Sequence, residues 1–130
     1  MKLLSVFILA ALSLQPRGCG KKSGKPPAGC YKGTLAVKGM CMNYTIAVTA
    51  GATDSTLVEA AWRDESTGKT YRNAFGLASR CSFPAGIREG DAFWFVIDSS
   101  GKQDCAVCLA YYPTPAKKLS IRVLPNPCTP

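Results

Sequence analysis

The chain has 130 residues, seven cysteines, no histidine and a formal net charge of +8. Without histidine there is no Ser-His-Asp or Cys-His nucleophile, no imidazole proton shuttle and no imidazole metal ligand, so the commonest hydrolytic and metal chemistries are excluded together. Five positive charges (Lys2, Arg17, Lys21, Lys22, Lys25) precede residue 30, which leaves an excess of +3 on residues 30–130, too small for a convincing nucleic-acid binder.

In chain order, Met1-Lys2 and the apolar run of residues 3–14 predict a signal peptide over 1–18. The run is shorter than the ~20 apolar residues of a bilayer span, and as a retained helix it would have no polar face for water. Residues 19–29 are rich in Lys, Gly and Pro without apolar periodicity and read as a tether, either lying near anionic lipid headgroups or simply solvated. Gly18-Cys19 at its start resembles a bacterial lipoprotein processing site, which implies lipidation at Cys19 and a membrane partner through that anchor; plain secretion with ordinary cleavage is the other reading. Cysteine arithmetic favours the lipid: Cys19 set aside, Cys30, Cys41, Cys81, Cys105, Cys108 and Cys128 form an even set that can close disulfides in an oxidising, extracytoplasmic compartment.

From Cys30 the pattern has period two. Tyr31, Leu35 and Val37 alternate with Lys32, Thr34 and Lys38; Met42, Tyr44, Ile46 and Val48 alternate with Asn43, Thr45 and Thr49. Two half-buried strands joined through Gly39-Met40-Cys41 are predicted. Residues 56–63 and 69–78 flank the turn "DESTG" as a hairpin, with a short helix as the alternative for the first arm. The unbroken run "AFWFVI" (92–97) predicts a central strand covered on both faces, and "DSSGK" turns the chain into a further strand through "DCAVCLAYY" (104–112). A last strand alternates Leu119, Ile121 and Val123 with Ser120 and Arg122, before Pro125, Pro127 and Pro130 end regular structure and Cys128 pins the tail. The fold class is all-β: one domain over 30–130 of about seven short strands, an antiparallel sandwich or small barrel stapled by disulfides.

Cys105 and Cys108 have the Cys-x-x-Cys spacing of thiol redox centres, haem attachments and metal knuckles. Leu109 stands where haem attachment needs histidine, and no helix N-terminus lowers a thiol pKa here. A zinc site would have to borrow Cys30 and Cys41, which an oxidising compartment would close instead. Three residues apart in a strand, the two cysteines point to opposite faces and are expected to find different disulfide partners. The carboxylates Asp64, Glu65, Glu89 and Asp91 fall in turns, outside any apolar stretch that would raise a pKa, so no acid/base pair, catalytic residue, metal or cofactor is assigned. Most aromatics are at strand spacing and read as core. Tyr111 and Tyr112, beside prolines and Lys117 and Lys118, form the candidate binding patch for a protein or glycan partner. Asn43-Tyr44-Thr45 is a glycosylation sequon, of consequence only in a eukaryotic source.

Two resemblances follow. The segments "CYKGTLAVKGMCMNYTI", "CSFPAGIREGDAFWFVI" and "CAVCLAYYPTP" resemble small exported domains of bacterial lipoproteins, which implies location and no activity. "CMNYTIAVTA", "RCSFPAGIREGDAFWFVI" and a late cysteine resemble the netrin-like module of metalloproteinase inhibitors, which implies an OB-type barrel. Inhibition in that family uses a leading Cys-x-Cys pair, which Cys30-Tyr31-Lys32 lacks. The expected function is a non-enzymatic surface interaction or structural module; netrin-like proteinase inhibition and thiol oxidoreduction through Cys105 and Cys108 are the second and third readings.

Overall fold

Seven strands lie between Cys30 and Leu124 in the computed structural model, which describes residues 24–129. They are β1 (Cys30–Lys38), β2 (Tyr44–Ala50), β3 (Glu59–Arg63), β4 (Thr70–Leu77), β5 (Ala92–Ile97), β6 (Lys118–Leu119) and β7 (Ile121–Leu124). Two short 3-10 turns, Met40–Met42 and Arg80–Ser82, are the helical elements among the described residues. The signal expected over 1–18 and Cys19 lie outside the described residues. The segment before β1 is fixed where the Cys30 N–H donates to the Pro27 carbonyl at 3.1 Å.

The sheet closes on itself. β1 pairs antiparallel with β2 and β5, β2 with β4, and β5 with β7, while β6 pairs parallel with β4. Only Ser120 separates β6 from β7, so one crossing segment joins β4 to β5 and completes a ring. The order β1-β2-β4-β6/β7-β5 with a parallel closing pair is that of the small OB-type Greek-key barrel, which resolves the choice between sandwich and barrel. Closure leaves few open sheet edges. β3 lies outside the ring as the hairpin partner of β4, and it begins at Glu59 rather than Thr56.

Inside the ring sit Leu35, Ile46, Phe75, Leu77, Phe95 and Ile121, each 3% exposed or less. Phe95 is the hub, with ring centroids 5.4 Å from Tyr31, 5.8 Å from Phe75 and 5.9 Å from Phe93. Such contacts act beyond simple area burial. β1 bends over this hub at two register shifts, and Gly33 gives the clearance: a Cβ there would lie 2.9 Å from Phe95 Cε1 and 3.0 Å from Ile46 Cγ2. Where the crossing segment changes partners, Ser79 is buried and saturates Ile121, its Oγ accepting from the Ile121 N–H at 2.8 Å and donating to the Ile121 carbonyl at 3.0 Å.

Three sequence expectations are corrected. The stretch 104–112 is not a strand; residues 98–117 form none. Cys105 and Cys108 are drawn off to separate bridges, and Pro113 and Pro115 have no N–H to give a ladder. The seventh strand arises instead from the break of the last one at Ser120. β5 is not covered on both faces, since Phe93 and Phe95 point inward while Trp94 and Val96 are half exposed. The doubly covered strand is β4, buried throughout Ala74–Leu77. Its outward residues are small, and the segment before β6 packs on them: a Cβ on Gly76 would meet Lys118 Nζ at 2.9 Å and the Pro115 carbonyl at 3.2 Å. Thr45, beside Gly76 in the register, is fully buried by the same geometry although its alternation predicts an exposed face.

The β3–β4 turn is organised by Asp64, which is fully buried although it occupies the turn its sequence context indicates. Burial pushes its carboxyl up, but donation from the Ser66 N–H (2.9 Å), Ser66 Oγ (2.7 Å) and Thr67 Oγ1 (2.9 Å) outweighs this, and the net shift is downward. Asp98, hydrogen-bonded by Ser100 and paired with Arg122 at 2.9 Å, is lowered to about 2. Carboxyls depressed in the folded state stabilise it above their unfolded pKa of about 3.9 and lose that contribution as pH falls through the folded value. The urea midpoint is therefore expected to be flat from neutral pH to about 4 and to drop between about 4 and 2. Asp64→Asn should lower the neutral-pH midpoint and shrink the acid drop; an acid drop of unchanged size would refute the assignment of part of it to Asp64.

Candidate functional site

Residues 98–117 run as a long connection between β5 and β6, and their placement follows from covalent bonds rather than a ladder. Cys105 is bridged to Cys81 and Cys108 to Cys41, with Cα–Cα distances of 5.5 and 5.1 Å; the third bridge joins Cys30 to Cys128. Cys105 and Cys108 therefore have different partners, as their spacing predicts, though in a loop rather than a strand. With all six described cysteines in bridges, Cys105 and Cys108 do not form a redox pair with each other and no described cysteine is free as a thiolate zinc ligand in this state. No cluster of three or more His, Cys, Asp or Glu side chains that could hold a metal occurs among the described residues.

Downstream of Cys108 the chain is held by Asn43. Its Nδ2 donates to the carbonyls of Ala110 and Met40, each at 3.0 Å, while its Oδ1 accepts from Arg80 Nη2 at 3.0 Å. One amide thus joins the β1–β2 turn, the loop and Arg80, so a sugar on the sequon would take the nitrogen that carries two of these bonds. In that turn Cys41 and Met42 have φ of 56° and 57°, left-handed conformations that cost non-glycine residues roughly 1–3 kcal/mol each and persist only when surroundings enforce them. Here the bridge to Cys108 and the Asn43 bonds do so.

Tyr111 and Tyr112 part company. Tyr112 is half-buried, its OH 3.1 Å from Ser66 Oγ, and its ring covers Gly39, where a Cβ would lie 2.5 Å from Tyr112 Cδ1. Tyr111 is 80% exposed and Leu109 is 98% exposed. Beside them an open groove of about 310 Å³ is lined by Arg80, Lys118, Asn43 and Thr114. Lys118 Nζ donates to Thr114 Oγ1 (2.7 Å), and burial, then the nearby Arg80 charge, lower its pKa. Neither cation has a carboxylate within ion-pair distance among the described residues. Lys117 does not line the groove: its carbonyl accepts from the Gly76 N–H at 2.8 Å, fixing the cover on β4.

Of the predicted patch, then, Tyr111, Tyr112 and Lys118 come together and Lys117 does not. Leu109, Arg80 and Asn43 also line the site, although none of them is marked for the binding patch by the sequence, in which Asn43 stands out only as part of a sequon. A larger open recess of about 740 Å³ lies on the outer side of β1 and β5 against residues 24–26, where Lys32 Nζ stands 5.7 Å over the Trp94 ring.

Gly39→Ala is expected to expel the Tyr112 ring and cost about 1–3 kcal/mol, as inserted methyl groups do in packed sites. Thermal unfolding and the shift of the Tyr112 ring resonances toward random-coil values would report it; Tyr112→Phe, which loses only a partly exposed hydroxyl contact, should change stability far less. An unmoved ring in Gly39→Ala would contradict the docking.

Compared with known proteins, the chain matches no protein-family model and no curated protein. What the structure defines is a class: an all-β, three-disulfide barrel carrying a braced, partly apolar loop. Its bridges suggest an oxidising, extracytoplasmic environment, and no helix among the described residues is long and apolar enough to cross a membrane.

Proposed function

We propose that the protein is an exported, non-enzymatic interaction module, tethered by lipid at Cys19, that uses the loop around Leu109 and Tyr111 to bind another macromolecule. One observation carries this reading: two large apolar side chains are held 98% and 80% exposed on a segment that two disulfides fix in place. A barrel that buries its other aromatic residues wholly or in part has no packing reason to display these, and braced exposed loops on rigid scaffolds are common binding sites. Arg80 and Lys118 alongside favour a partner with acidic or electronegative groups.

The test has two arms. Mass spectrometry of the mature protein without reductant should find three disulfides and a diacylglycerol-sized addition on Cys19; a free Cys19 at the mature terminus, or a mature chain lacking it, would remove the lipid tether from the proposal. A photo-crosslinking residue at position 111 should capture a partner in whole envelopes that one at position 102 does not, and equal capture from both would defeat the loop's role.

A second reading, a netrin-like proteinase inhibitor, draws support from the OB-type strand order. Against its chelating mechanism stands Cys30, which is 5% exposed within β1, bridged to Cys128, and uses its N–H on Pro27.

A further inference from the structure

The loop has a property that a general docking patch does not need. Among the described residues, no main-chain N–H from Ala106 to Tyr112 donates a hydrogen bond within the chain, and the Ala110 carbonyl is the one main-chain oxygen of that stretch held by a side chain. Leu109 and Tyr111 stand out into solvent, while the Ala110 carbonyl and the Tyr112 ring are held against the barrel. A loop backbone with free donors, immobilised before it meets a partner, suits a cleft that binds peptide by strand addition, with main-chain bonds giving affinity and side-chain pockets giving specificity.

We propose that this segment is a substrate-like loop for an extracytoplasmic serine endopeptidase with an apolar primary pocket, in which Leu109 fills the pocket and the Leu109–Ala110 bond lies at the catalytic centre. The proposal rests on the interaction-module reading and names its partner class. Apolar primary pockets select large uncharged side chains at the residue before the cut. Leu109 is the most exposed of the large hydrophobic residues here, and its removal from water is available only to a partner.

The bracing decides between substrate and inhibitor. Hydrolysis would add water across the Leu109–Ala110 bond, leaving a carboxylate on Leu109 and an ammonium on Ala110. The Leu109 end stays joined through Cys108 to Cys41. The Ala110 end stays held by Asn43, by Tyr112 packed on Gly39, and by Pro115, which is fully buried over β4. Neither end can leave the cleft freely, so the amine remains beside the acyl carbon and resynthesis competes with release. Preorganisation also lowers the ordering cost of binding the loop.

A membrane surface fits less well. Two apolar side chains on a braced loop bury little area in a bilayer, and free main-chain donors are a liability in lipid and an asset in a protease cleft.

The experiment measures steady-state inhibition of chymotrypsin, as a probe with an apolar primary pocket, by the purified disulfide-bonded protein. Saturable inhibition is expected, with intact protein recoverable from the complex. Leu109→Asp should weaken inhibition at least ~30-fold, the scale of an interface hot spot, and Leu109→Lys should transfer inhibition from chymotrypsin to trypsin. Because Leu109 is 98% exposed, both variants are expected to keep the wild-type unfolding midpoint. No inhibition of either chymotrypsin or an elastase-type enzyme, rapid cleavage at Leu109 as an ordinary substrate, or inhibition that survives Leu109→Asp would each overturn the proposal. Binding to phosphatidylglycerol vesicles that Leu109→Asp abolishes, without protease inhibition, would replace it with a membrane role. If position 111 still captures a specific protein while neither protease is inhibited, the interaction module stands and this partner class falls.

Discussion

Loss of the Cys30–Cys128 bridge, by replacing both cysteines with serine, is expected to destabilise the domain by about 2–5 kcal/mol, with most of the effect arising in the unfolded chain. The three bridges are nested: 81–105 lies inside 41–108, which lies inside 30–128, with separations of 24, 67 and 98 residues. Taken alone, a loop of 98 would contribute about 4.7 kcal/mol in chain-entropy terms. With 41–108 already closed, the path that the outer bridge adds shrinks to about thirty residues, and its contribution to about 3.7 kcal/mol. Against a total stability of roughly 5–15 kcal/mol this is a large share.

There is a structural side as well. Cys30 opens β1 and pairs in register with Val96 of β5, so the bridge ties the tail after β7 to the first strand of the ring. Urea denaturation should show a lower midpoint. A slope m that rises along with it would locate the effect in a more expanded denatured state. A double variant with wild-type midpoint would mean that the unfolded chain is not constrained by this bridge.

The barrel was legible from the sequence where side chains alternate against one core. Tyr31, Leu35 and Val37, and Ile46 and Val48, face inward as their period-two placement predicts. The pattern failed where a strand has cover on its outer face. Ala74 and Gly76 carry no hydrophobic signal, yet they are buried because small residues let Pro115 and Lys118 approach the backbone, and Thr45 is buried with them. Closure was not legible either, since it depends on Ser120 letting one short segment serve two strands in opposite senses, a non-local pairing that no window of sequence contains.

The site was half legible. Tyr111, Tyr112 and Lys118 form a recognisable polar-aromatic cluster beside prolines. The pattern over 104–112 misled because its cysteines are committed to bridges and the prolines after it lack donors, so the segment has no strand partners and is exposed apart from Val107 and Tyr112. The signal that could have marked Leu109 is that combination, an apolar residue next to a bridged cysteine in a stretch that proline bars from the sheet. Arg80 and Asn43 join the site through the fold alone, across sequence separations of 37 and 67 residues.

Phe75→Ala is expected to be the most damaging single substitution, at about 3–5 kcal/mol. The ring is fully buried, lies 5.8 Å from Phe95, and sits on β4 opposite Ile46, in the strand enclosed on both faces. That enclosure matters, because the cost of a cavity depends on how far the walls can collapse. The inward wall is the aromatic hub and the outward wall is pinned by Pro115 and the Lys117 carbonyl, so neither can close on the void. At ~4–8 °C per kcal/mol for a domain of this size, the thermal midpoint should fall by more than ~12 °C, with Phe75→Leu a milder case at about 1–1.5 kcal/mol. Phe75 acts on the folded state and the Cys30–Cys128 bridge chiefly on the unfolded one, so the two losses should add to within ~0.5 kcal/mol. Combining Phe75→Leu with the double serine variant keeps enough stability to measure the sum. A combined loss well below that sum would mean that the bridge also tightens the packing around Phe95, through β1 and its register with β5, and would move part of its effect from the unfolded chain into the barrel itself.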